Sequence, residues 1–171
     1  MRKFYPVLLL VMVMAVIWGC GEKLTEEQLR ATALDSQNNE QWAEAVKMYQ
    51  RLVKAYPQST RAAETLYRLG ITYANNLKDF KKAVETHGRI VKEYPNSNFV
   101  KQSTFMMGFL YANDLKDLEK AKSAYQDFLQ KWPTHELASS VKWELEHLGQ
   151  DISQIDLNLG EAQPAADTPI K

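Results

Sequence analysis

The side chains able to do chemistry on their own are few and far apart. Cys20 is the only cysteine, and it closes an apolar run near the start of the chain. A lone thiol has no internal disulfide partner, so its position has to account for it. The three histidines, His87, His135 and His147, never fall at the three- or four-residue spacing by which one helix offers two imidazoles to zinc. No glycine-rich turn follows a strand to cradle a phosphate. Asp and Glu are plentiful but fall on the polar faces of helical patterns, where a solvated charge is the default. These residues predict no enzyme, no metal site and no bound cofactor.

What the chain does carry is repetition. The stretch "YANNLKDFKKA" from Tyr73 returns as "YANDLKDLEKA" from Tyr111, with eight of eleven residues identical at an offset of 38. Rows of 38 align Pro57, Pro95 and Pro133, each after an aromatic, Tyr56, Tyr94 and Trp132. Each proline ends a helix. Before them run Trp42, Ala45, Val46, Tyr49, Leu52, Val53; then Phe80, Ala83, Val84, His87, Ile90, Val91; then Leu118, Ala121, Tyr125, Phe128, Leu129. Steps of three and four place each set on one helix face. Asp79 and Asp117 are positioned to cap two of these helices.

A second kind of helix alternates with the first. Ala62, Leu66, Leu69, Gly70 and Tyr73 match Val100, Thr104, Met107, Gly108 and Tyr111, with Ser59 and Ser97 at their starts. A last copy runs from Thr134 through Ala138, Val141 and Trp143 to Gly149, a natural stop. Thr25 and Gln28 read as a capping box for a helix to about Gln37. The pattern predicts an all-α chain of seven helices, three antiparallel pairs and one closing helix. Gly88, in mid-helix, makes the helix around His87 the soft one.

Leu66, Leu69, Gly70, Tyr73, Ala83, His87 and Pro95, with Met107, Gly108, Tyr111, Ala121, Tyr125 and Pro133, resemble the tetratricopeptide pattern. Ala45, Tyr49 and Pro57 supply the second half of a first copy, in which Thr32 and Asp35 stand where Gly and Tyr are expected. The fold implied is a helical-hairpin solenoid over residues 25–149, stable only because neighbouring pairs stack. The long period and the "YPQS" and "YPNS" junctions resemble the repeats of BamD-type outer-membrane assembly lipoproteins and of the Tol-Pal system coordinator.

Residues 1–19 have the layout of an export signal: Arg2 and Lys3, the apolar run Val7 to Ile17, then Gly19. "VIWGCGEK" resembles a bacterial lipoprotein signal, although Trp18 is bulkier than the usual residue there. The resemblance implies a covalent lipid on Cys20, a short linker over 20–24 and, with Gly21 next, sorting to the outer membrane, facing the periplasm. Lys plus Arg and Asp plus Glu each number 21, so no overall field draws the chain to nucleic acid.

In this family the first helix of each pair forms the inner curve. The resemblance therefore places Glu64, Tyr67, Ile71 and Asn75 there, with Gln102, Phe105, Phe109 and Asn113, then Trp143 and His147. Tyr67, Phe105 and Trp143 recur at 38 residues and are expected to form an aromatic ladder, which suits an envelope protein or peptide as partner. A groove that carries a small ligand, such as a glycan or lipid, is the alternative. Lys78, Lys81 and Lys82, with Lys116, Lys120 and Lys122, are expected along one edge, solvated and neutralised by nearby Asp79, Asp117 and Glu119. Residues 150–171 change character. Ile155, Leu157 and Leu159 alternate, in a stretch expected either to pack on the closing helix or to add to a partner's sheet edge; the proline-containing end is expected to be disordered.

Overall fold

Thr25 opens the first helix as the sequence predicts. Its Oγ1 accepts a hydrogen bond from the Gln28 amide at 3.2 Å, while Gln28 Oε1 accepts one from the Thr25 amide at 2.8 Å. The computed structural model describes residues 23–150. The signal segment, Cys20 and the tail beyond Gln150 lie outside the described residues. Seven α-helices follow in order among the described residues: α1 (Glu26–Asn38), α2 (Trp42–Ala55), α3 (Ala62–Ile71), α4 (Phe80–Glu93), α5 (Phe99–Asn113), α6 (Leu118–Lys131) and α7 (Ala138–Glu146). A π-helical turn, Thr72–Asn76, continues α3. None of these helices is long and apolar enough to cross a membrane.

The same devices recur in each repeat. Asp79 and Asp117 accept the amides of Lys82 and Lys120, both at 3.1 Å, and so cap α4 and α6. The backbone turns left-handed at Glu40, Lys78 and Lys116, with φ near 55° at each. At the opposite ends of the helices, Ser59 and Ser97 accept the amides of Arg61 and Phe99, and in the last copy His135 Nδ1 takes the same part for Leu137. The Tyr94 hydroxyl donates to the Pro57 carbonyl at 2.8 Å, and that of Tyr56 to the Leu24 carbonyl at 3.0 Å. These bonds tie each repeat to the one before it.

The small residues let helices within a pair approach. Ala45, Ala83 and Ala121 are fully buried. Gly70 lies under the His87 ring and Gly108 under the Tyr125 ring, so that a methyl group at either site would meet the ring. In α1 the pattern runs one residue off the expected register. The buried residues are Leu29, Ala33 and Ser36, each 37 rather than 38 positions before Leu66, Gly70 and Tyr73; Thr32 and Asp35 are exposed. The extra residue lies in the turn after α3: the Asp79 amide reaches back six residues to the Tyr73 carbonyl at 2.9 Å, and Asp117 does the same to Tyr111, whereas in the first pair Gln41 reaches back only five, to Ser36, at 2.8 Å.

One core runs through α1 to α5, and a second joins α6 to α7 through Tyr125, Phe128 and Val141; Tyr111 and Trp132 pack against both. On α7, Lys142 and Glu146 take the places held by Leu66 and Gly70 two repeats earlier, and both are exposed. A polar free face of this kind ends a stack.

Candidate functional site: the inner helix row

The first helices of successive pairs stand side by side, with α3 and α5 in direct contact. Across this row Arg30 on α1 reaches Glu64 on α3, with Nη1 3.5 Å from Oε2, and Arg68 Nε donates to Glu64 Oε1 at 2.9 Å. Burial pushes the Glu64 carboxyl up, but the Arg68 hydrogen bond and the two guanidinium charges outweigh it and hold the group below its ordinary range. Two cations against one carboxylate leave this part of the row positive.

A cavity of about 370 Å³ opens here, lined by Glu64, Tyr67 and Ile71 as the family resemblance implies. Trp42, Arg68 and Phe99 also form its walls, with Gln37 and Thr72. Asn75 does not take part: Asn76, within the π turn that continues α3, lines the cavity in its place. Tyr67 is half-buried between Phe99, at 5.2 Å between ring centres, and His87, at 5.5 Å. That burial raises its hydroxyl above the ordinary tyrosine range.

Further along, Phe105 packs between Phe109 and Tyr125, each 6.3 Å away. Phe109 is 37% exposed, and Trp143 beyond it 36%. The Trp143 ring stacks on His147 at 4.5 Å and 22°. Asn113, Trp143 and His147 line a second cavity of about 200 Å³ with Glu144 and Lys116. Burial raises the Glu144 carboxyl, against the Tyr125 hydroxyl, 3.5 Å from Oε2, and the charge of His147. Gln102 is half-buried, and its Oε1 has no hydrogen-bond partner among the described residues.

The aromatics thus sit on one row, but their ring contacts differ from a simple ladder. Tyr67 bridges to Phe99 of the next pair, Phe105 holds to Tyr125 of its own, and Trp143 pairs with His147 on the same helix. Arg30, Arg68, Trp42 and Phe99 escape a reading by repeat alone. Trp42 looks like core because it opens an apolar series, and Phe99 stands before the matched positions. The four-residue spacing of Glu64 and Arg68 is the one local signal that could have found the ion network.

The lysine edge behaves as the sequence suggests for two of its members. Lys82 and Lys120 pair with Asp79 and Asp117 at 2.8 and 2.6 Å, and lie 5.5 and 5.4 Å from the ring centres of Tyr73 and Tyr111. Among the described residues no cluster of three His, Cys, Asp or Glu side chains could hold a metal ion.

No curated protein matches the chain at a significant level. Among solved structures it is similar to the Arabidopsis OM64 TPR domain, with a TM-score of 0.54 and 15% identity over 71% of this chain and 93% of that one. That likeness concerns the tetratricopeptide fold. The model of the family YfiO, described as outer membrane lipoprotein, matches residues 22–163, and the chain belongs to that family.

Proposed function

We propose that the chain is an envelope adaptor, tethered by a lipid on Cys20, that holds another protein against its inner helix row. The observation that carries this reading is the alignment of Tyr67, Phe109 and Trp143 on one row, beside a net positive arginine network. Half-exposed aromatics next to fixed charge suit a peptide segment with apolar and acidic side chains, because aromatic anchors carry much of an interface's energy. The family supports an envelope site of action. It weighs toward outer-membrane protein assembly over Tol-Pal coordination, with the repeats on the periplasmic side and no catalytic step.

Pull-down from solubilised envelopes tests it. The wild-type chain is expected to retain a stoichiometric protein that Phe109→Ala with Trp143→Ala loses, while the circular dichroism stays helical. Retention of the same protein by the variant counts against the row as the site. Cys20→Ala is expected to move the chain from the membrane to the soluble fraction.

A second reading has one observation in its favour. The cavity beside Tyr67, about 370 Å³, falls within the size range of small-molecule sites. Native mass spectrometry that finds a retained small molecule and no protein partner would favour a carrier.

A further inference from the structure

The edge opposite the amino-terminal entry carries an apolar strip that the described residues leave partly open. Leu77 and Leu118 are each 40% exposed, although both are large and apolar. Between the left-handed turns of the second and third pairs, Leu77, Phe80 and Leu115 line an open cleft of about 450 Å³, with Lys78, Asp79 and Lys81 on its rim. Lys82 and Lys120 have carboxylate partners, whereas Lys78, Lys81 and Lys116 have no ion pair among the described residues. The strip is therefore apolar along its middle, and its side carries three lysines that Asp79 and Asp117, engaged by Lys82 and Lys120, do not pair.

The described chain ends at this strip. Gln150 and Gly149 line the same cavity as Lys116 and Leu118, and a Cβ on Gly149 would come within 2.9 Å of Leu118 Cδ1. The sequence that follows, "DISQIDLNL", supplies Ile152, Ile155, Leu157 and Leu159 together with Asp151 and Asp156. The family match also runs past Gln150 to residue 163, so the family model includes this stretch.

We propose that residues 151–159 are the segment this edge receives. The reach suffices: nine residues span up to roughly 30 Å when extended, against about 10 Å between neighbouring packed helices. The isoleucines and leucines meet Leu118, Leu115 and the Leu77–Phe80 cleft, and the two aspartates meet Lys116 and Lys78. The free face of α7 is a poorer seat, since Lys142 and Glu146 make it polar. Docked this way, the segment seals the leucine edge and leaves Tyr67 and its cavity of about 370 Å³ open, so the inference stands independently of what that cavity binds.

Hydrogen exchange on the full chain tests the proposal against two variants, one ending at Gln150 and one carrying Lys78→Glu with Lys116→Glu. Both variants are expected to raise amide exchange at least tenfold over residues 77–82 and 115–120, with the core amides of Leu66 and Tyr125 unchanged. Equal exchange at both stretches in the full and shortened chains overturns it. So does a rise confined to the inner row around Tyr67 and Phe109, which would seat the segment in the groove. An unchanged pattern in the charge-reversed chain removes the role given to the lysines and overturns the proposal in that form.

Discussion

Gly70 lies directly beneath His87: a Cβ built on the glycine would stand 2.8 Å from Nε2 of the imidazole, itself fully buried. The next pair repeats this with Gly108 and Tyr125. One missing methyl group thus sets how closely a pair of helices packs, and with it the spacing of the inner row. Gly70→Ala is expected to destabilise the chain by about 1–3 kcal/mol, the usual range for overpacking. The urea midpoint reads this. Unchanged stability would mean the ring can give way, and that the glycine serves no packing purpose.

His87 also predicts an acid sensitivity. Its Nδ1 lies 3.4 Å from Ser103 Oγ, Nε2 has no partner among the described residues, and burial lowers its pKa from 6.5 to about 4. A group whose folded pKa is depressed stabilises the fold fully above its unfolded value. That contribution is lost as pH falls from about 6.5 toward 4, because the unfolded chain then binds the proton more readily. The shift corresponds to roughly 3 kcal/mol. Unfolding by urea between pH 7 and 4 is expected to show this slope, and His87→Phe is expected to flatten it. A variant as acid-sensitive as the wild type would place the cause elsewhere.

The sequence marks Gly88 as the point where α4 is expected to be soft. The helix is continuous through it, and an added Cβ would meet only Met107 Cε, at 3.8 Å, an ordinary contact. Gly88→Ala is expected to stabilise the chain by about 1 kcal/mol through helix propensity. A lower urea midpoint would show that the glycine is needed for something other than local conformation.

Glu40, at φ 57°, holds a conformation that costs a residue with a Cβ about 1–2 kcal/mol. Glu40→Gly removes the strain but adds freedom to the unfolded chain. The net expected gain is up to about 1 kcal/mol, read as a higher melting temperature. A loss would mean that the Glu40 side chain makes a contribution larger than the strain.

The helices, their order and their caps were legible because proline, small residues and Asp caps recur at one period. Register was less so. The second and third pairs hold one more residue than the first in the turn between their helices, which leaves the apolar spacing within each helix unchanged, and this is why α1 buries Ala33 and Ser36 in place of Thr32 and Asp35. Tyr67 and Trp143 could be placed on the row because each copies its neighbour 38 residues away. Arg30 and Phe99 could not: they come from adjacent helices, and a reading along one helix carries no distance across to the next.

The most direct test of the inner row as a protein-binding surface is photocrosslinking in cells from position 109, with position 123, exposed on α6, as the control. A discrete protein adduct from 109 and none from 123 is the predicted result. Adducts equally from both positions, or from 123 alone, would contradict it.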